Sequence, residues 1–449
     1  MLKRRDRTCL SNGHERDYDQ YQRAMPGGHL MIGKRAAGLA VAGIILLSGF
    51  GSVSARDVKS SDWVPTWSSS AQAAWGAEFP IPTGIPAGLR NQTVRQYARI
   101  SVGGNAARVV LSNEYGKSPL VIAHAHIALV SEDNKNVAGT DTILTFGGNT
   151  DVVLQPGATA VSDRVKLSLK ALDHVQVSIF LPNETELSTF HWVAKQATEI
   201  GAGDQTTAAT ISDPQTIMSR VFLTEILVSL PSQNGAIVAF GDSITDGDGS
   251  SANKNLRWPD LLAERLATRQ IAVVNEGISG DRLLTDLVGT NGVARFQRDV
   301  LQKSNVRAAF FMMGINDIGQ PGLFIAPNDP PRSSKDIISG YRQVISQAHV
   351  HGIRIVGSTL TPFDGALSGT PLKGYYNASK EVVRNEVNDW IRNSKEFDAV
   401  VDFDSLLRDP SSPTKIRAEF DSGDHLHPND AGYKAMANFI NIDDLIGKH

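Results

Sequence analysis

Five short apolar runs alternate with segments of helical spacing in the second half of this chain. They are AIVAF (236–240), IAVVNEG (271–277), RAAFFMMG (307–314), IRIVGSTL (353–360) and AVVDFD (399–404). No other feature constrains the fold as much. A continuous apolar run suits a strand buried on both faces, and strands alternating with helices imply a parallel sheet covered on both sides. The helical segments are WPDLLAERLATR (258–269), with Pro259 suited to a first turn, and an arginine-rich stretch to Lys303. They continue with SKDIISGYRQVISQAHVHG (334–352), KEVVRNEVNDWIRNS (380–394) and AGYKAMANFINIDDLI (431–446). Ligands of such sheets bind beyond the carboxyl ends of the strands. The polar clusters of interest fall in these places.

Upstream of residue 232 the pattern changes. TVRQYARISV (93–102), ARVVLSN (107–113), LVIAHAHIALV (120–130), RVKLSL (164–169) and HVQVSIFL (174–181) are β-rich, and several alternate apolar with polar residues. This is the period of half-buried strands. Gly103-Gly104-Asn105 has the composition of a hairpin connection. Residues 56–232 therefore read as an antiparallel β-sandwich, jelly-roll-like, and 233–449 as a three-layer αβα domain with a flavodoxin-like parallel sheet. Residues 31–55 read as a signal peptide, with basic Lys34 and Arg35, an apolar stretch from Ala36 to Phe50, and Val53-Ser54-Ala55 as a small-residue cleavage site. That stretch is short for a membrane span. Residues 1–30 lie outside this pattern and read as an upstream extension, with translation expected to begin at Met25 or Met31. A secreted or periplasmic protein without a stable membrane anchor is expected. Its one cysteine, Cys9, precedes the signal, so no disulfide framework or thiol nucleophile is expected. The formal charge of −3 offers no argument for nucleic acid.

Four segments carry the chemistry. Gly241-Asp242-Ser243, Gly277-Ile278-Ser279-Gly280 and Gly314-Ile315-Asn316-Asp317 follow the first three runs, and Asp424-His425-Leu426-His427-Pro428 precedes the last helix. Ester hydrolysis through a serine needs an imidazole to take the hydroxyl proton and a carboxylate to orient that imidazole. It also needs donors aimed at the developing oxyanion. Ser243 supplies a nucleophile and its own N–H. Gly280 lets a backbone N–H approach closely, and Asn316 offers a side-chain amide. His427 supplies the base, with Asp424 three residues earlier as its partner. Each segment alone has a bland reading as turn or cap, but their joint occurrence does not.

In these segments the chain resembles the SGNH (GDSL) hydrolases: GDSITDG, GISGDRL, GINDIG and DHLHPND match the four blocks of that family in order. The resemblance covers about residues 233–449 and implies the αβα fold. It also implies Ser243, Gly280, Asn316 and His427 as the four named residues, with Asp424 as triad acid. NLRWPDLLAERL, TLTPFDG and FDSGDHLHPND resemble the acetylxylan-esterase-like subgroup, whose members also carry an N-terminal β domain. It implies short acyl groups, acetyl above all, on polysaccharide such as xylan, with no cofactor. General aryl or short-chain esterase and lipase-like activity is the near alternative, and a carbohydrate-binding protein is the alternative of another class.

Several residues have rival readings. His425 adjoins Asp424 too closely in sequence for an easy Asp–His bond and is expected at the edge of the site. Asp242 and Asp246 are expected to bond backbone amides around the serine turn rather than hold a metal, since no H-x-x-x-H or similar set exists. His124 and His126 share a strand face as a possible metal pair, with surface or core positions favoured. Trp63, Trp67, Trp75 and Trp192 either line a sugar-binding face or pack internally. Tyr375 and Tyr376, in a glycine-rich segment after a strand end, are expected on one lip of the pocket, stacking on a substrate ring. Oligomeric state is left open.

Overall fold

In the computed structural model, residues 63–131, 134–231 and 234–447 are described, and they belong to one compact unit. The upstream extension and the signal peptide fall outside the described residues. Among those described, no helix is long and apolar enough to cross a membrane.

The five apolar runs form a parallel sheet, with strands Ala236–Gly241, Ala272–Gly277, Val306–Met312, Arg354–Ser358 and Ala399–Val401. Numbered in chain order, they lie 2-1-3-4-5 across the sheet. The first strand is buried throughout and feeds both faces. Val238 and Phe240 pack with Phe311 and Tyr341 on one side, while Ile237 and Ala239 pack with Trp258, Phe310 and Tyr433 on the other. Strand order reverses beside the first strand, so the loops after strands one and three flank the crevice where such sheets bind ligands.

The strand-rich region holds two main antiparallel sheets, of four and six strands. Their facing apolar residues share one core, which extends to Ala236 and Ala272 of the parallel sheet. Asn305 Nδ2 donates to the Trp63 carbonyl (2.8 Å), and the Val273 N–H donates to Ser101 Oγ (3.2 Å), fastening the two parts together.

Four local expectations are corrected. Gly103-Gly104-Asn105 is not a hairpin, because Gln92–Arg99 and Ala107–Ser112 belong to different sheets. RVKLSL makes only single bridges, at Val165 and Leu169, although Val165, Leu167 and Leu169 are buried as its alternation implied. The fifth parallel strand stops at Val401, since Asp402 caps a short helix, Phe403–Leu407, by accepting the Ser405 N–H. The last helical segment is two helices, Asp430–Phe439 and Ile442–Ile446, interrupted at extended Ile440 and recapped by Asn441.

Candidate active site

The first parallel strand ends at Gly241, where any Cβ would lie 2.1 Å from Thr245 Oγ1 and 2.7 Å from the Met312 carbonyl. Only glycine lets the chain turn here. Asp242 then caps a one-turn helix, Ser243–Asp246, by accepting the Ile244 N–H at 3.1 Å. Burial pushes the Asp242 carboxyl up to about 7. Ser243 stands at the start of that turn, nearly buried.

The Asp424–His427 segment approaches from the other end of the chain. One Asp424 oxygen accepts the N–H groups of Leu426 (2.9 Å) and His427 (2.8 Å), and the other faces His427 Nδ1 at 2.6 Å. Burial opposes the Asp424 charge, but the bonds from His427 and Leu426 hold the carboxyl well below its usual range. An ionised carboxylate only accepts, so Nδ1 carries the proton and Nε2 presents its lone pair. Nε2 lies 2.8 Å from Ser243 Oγ. Burial alone would lower the His427 pKa; the Asp424 bond and the charges of Asp248 and Asp424 outweigh it and raise it.

The other two blocks meet beside this triplet. Gly280 has φ +77°, a left-handed conformation suited to glycine, and a Cβ there would press on Val288 at 3.0 Å. Asn316 opens the turn after the third strand, and its amide is fixed from both ends. Its oxygen accepts from Gln320 Nε2 (2.9 Å) and the Tyr375 hydroxyl (2.8 Å), while Nδ2 donates to the Asp281 carbonyl (2.8 Å). Gln320 Nε2 also donates to the Gly280 carbonyl (2.8 Å), tying the two blocks together. Asp317 accepts the N–H groups of Leu283 and Leu284. Asp246 accepts the Ser279 N–H (3.0 Å) and hydroxyl (2.9 Å), joining the serine turn to the Gly280 turn.

Residues 237–440 match the model of the GDSL-like Lipase/Acylhydrolase family. The match covers this αβα region, which is under half of the chain. The chain is accordingly a carboxylic ester hydrolase. The chain is similar to three solved structures. The first is a carbohydrate acetylesterase family member from Sinorhizobium meliloti, at 18% identity over 48% of this chain and 100% of that one, TM-score 0.38. The second is the native aryl esterase of M. smegmatis, at 18% identity over 45% and 95%, TM-score 0.36. The third is a GDSL-like lipase from Bacteroides thetaiotaomicron, at 16% identity over 47% and 88%, TM-score 0.35. No curated protein matches the chain.

Tyr375 does not sit on a pocket lip. It is 1% exposed, packs edge-on to Phe363 and spends its hydroxyl on Asn316, leaving no ring face for a sugar. Tyr375→Phe is expected to lower kcat about 3- to 10-fold, the scale of one lost buried hydrogen bond, with KM little changed. Steady-state kinetics on a simple ester checks this. Tyr376 is half-buried, edge-on to Phe363. His425 turns outward: its backbone is left-handed (φ +63°), and its Nδ1 pairs with Asp421 at 2.5 Å. His124 and His126 each pair with a separate aspartate, Asp204 and Asp141. Trp67 is buried beneath Arg220, and Trp75 packs on Trp192, Phe190 and Phe79.

Two contributors carry no local sequence signal. Arg295 is fully buried and donates to the Gly241 and Glu276 carbonyls and to Asp281 and Asp299. His191, from the strand-rich region, contacts Asp246 at 3.0 Å.

Proposed function

We propose that this acylhydrolase is a secreted serine esterase that removes short acyl groups, acetyl above all, from polysaccharide such as xylan. The observation that carries the catalytic part is the Asp424–His427–Ser243 relay, closed at 2.6 and 2.8 Å. His427 Nε2 takes the Ser243 proton as Oγ attacks the ester carbonyl. Asp424 stabilises the imidazolium that forms. The Ser243 and Gly280 N–H groups and the second Asn316 N–H receive the oxyanion, the other Asn316 N–H being held by Asp281. Collapse of the tetrahedral intermediate breaks the ester C–O bond, and His427 returns the proton to the leaving alcohol. Water, deprotonated by the same histidine, then attacks the acyl-enzyme, and Ser243 regains its proton as the acid departs.

The acetyl and polysaccharide assignment rests on the segments at 255–266, 359–365 and 420–430 that resemble acetylxylan-esterase-like proteins, and export on the signal-like 31–55. A p-nitrophenyl ester series, run beside acetate release from acetylated xylan with Ser243→Ala as control, tests it. Turnover greatest on acetate esters and lost in Ser243→Ala is expected. A wild type inactive on every chain length overturns the esterase mechanism, and preference for long chains overturns the acyl assignment.

The base must be neutral to work, so activity falls as pH drops through the His427 pKa. That pKa is raised, so the acid limb of kcat/KM is expected above the ordinary histidine value of about 6.5. A pH–rate profile with the midpoint below that value contradicts the assignment.

A further inference from the structure

The strand-rich region reaches the catalytic turns through several side chains, and they converge on Asp246 and residues 288–299. Gln72 Nε2 donates to the Val288 carbonyl (3.0 Å), and Val288 is the side chain lying against Gly280. The Tyr115 hydroxyl meets Thr290 Oγ1 (3.0 Å), and Ser70 Oγ donates to Asp299 (2.6 Å). His191 reaches deepest. It is buried, with Nδ1 3.0 Å from the Ser70 carbonyl and Nε2 3.0 Å from Asp246 Oδ1. The second oxygen of Asp246 is the one that holds the Ser279 N–H and hydroxyl.

We infer that His191, supplied by the strand-rich region, is a positioning residue of the esterase. It orients Asp246, and Asp246 holds the Ser279–Gly280 turn where the oxyanion needs its donor. This rests on the roles proposed above for Ser243 and Gly280. The bond pattern gives the physical reason. A carbonyl oxygen only accepts, so Nδ1 of His191 carries hydrogen toward Ser70, while Nε2 shares one hydrogen with Asp246 Oδ1. The ring is therefore held at both nitrogens in a dry place, and the Asp246 contact favours its charged form. Burial and the nearby Arg220 oppose that charge, and Asp246 outweighs them, leaving the His191 pKa raised. The carboxylate is thereby locked in the rotamer that serves Ser279. On this reading the strand-rich region is a structural part of the active site, and no sugar need bind to it for that role.

A misplacement of about 1 Å in a catalytic group costs on the order of 100-fold. His191→Ala is accordingly expected to lower kcat about 10- to 100-fold, with KM shifting less than about threefold. His191→Gln, which keeps an N–H toward Asp246, is expected to recover part of the loss. Active sites are counted by labelling with a fluorophosphonate to completion, and kcat is expressed per labelled site. A residue that only supports folding lowers the number of sites and leaves each as fast as the wild type. A lower per-site kcat in His191→Ala, partly restored in His191→Gln, supports the inference. Unchanged per-site kcat in His191→Ala, while Ser243→Ala is dead and unlabelled, overturns it alone. Turnover persisting in Ser243→Ala removes the nucleophile assignment and the inference with it. If His191→Ala yields no folded protein, the same per-site comparison on His191→Gln decides: a deficit supports the inference and parity with wild type overturns it.

Discussion

Replacing His427 with alanine is expected to lower kcat on the order of 10,000- to 1,000,000-fold, the scale set by removing one member of a serine triad. Replacing its neighbour, in His425→Ala, is expected to leave kcat within about threefold of wild type. The two histidines are two residues apart, yet the backbone separates their work. At His425 it takes a left-handed turn, so that ring faces outward and pairs with Asp421. The His427 ring instead spans from Asp424 to Ser243. Without His427 the serine hydroxyl has no acceptor, and the Asp424 charge loses its partner. Folding should survive, because the Asp424 bonds to the Leu426 and residue-427 backbone N–H groups do not need the ring. Burst and steady-state kinetics on one ester, with a thermal melt of each variant, make the comparison. Loss of turnover in His425→Ala with retention in His427→Ala would reverse the assignment of the base.

The four blocks were legible because their signal is local. An apolar run that stops at a small polar turn marks a strand end, and in a parallel sheet all such ends lie on one side. Ser243, Gly280 and Asn316 could therefore be placed on a common edge from sequence alone. Asp424 and His427 could be paired because a three-residue spacing is a single turn. Contributions that depend on distant partners were not legible. Tyr375 meets Asn316 from 59 residues away and looked like a surface ring in a glycine-rich loop. His191 meets Asp246 from 55 residues away, across two parts of the chain read as separate. Periodicity reported burial faithfully and pairing less so. RVKLSL buries its alternate residues but makes no continuous ladder. The early end of the fifth strand hinged on a side-chain cap at Asp402 within an otherwise apolar run.

Arg295→Met is expected to destabilise the fold by about 3–5 kcal/mol, because it removes one partner of a buried ion pair and leaves the other charge stranded. Arg295 and Asp281 are both fully buried and 2.7 Å apart. The guanidinium also holds the Gly241 carbonyl at the end of strand one and the Glu276 carbonyl near the end of strand two, and stacks 4.1 Å over Phe240. Methionine keeps the length and some of the packing, so the loss is mainly that of charge and donors. Asp299 suffers less than Asp281, since Arg298 and Ser70 still hold it. Among the described residues no second cation bonds Asp281, and burial already pushes its carboxyl up to about 7 against the pull of Arg295. Without Arg295 that value rises further. The folded state then holds a proton that the unfolded chain, with an ordinary carboxyl near 3.9, releases as pH rises above that value. Stability of wild type and variant alike falls as pH rises from about 4 to about 7, so the deficit is level over that range; above about pH 7 only the variant still holds the proton, and its deficit grows. Asp281→Asn added to Arg295→Met removes the stranded charge and is expected to restore part of the loss, most at alkaline pH. Denaturant melts of the two variants and wild type at pH 5 and pH 8 test this. A deficit for Arg295→Met that is equal at the two pH values would show that Asp281 is not the group left uncompensated.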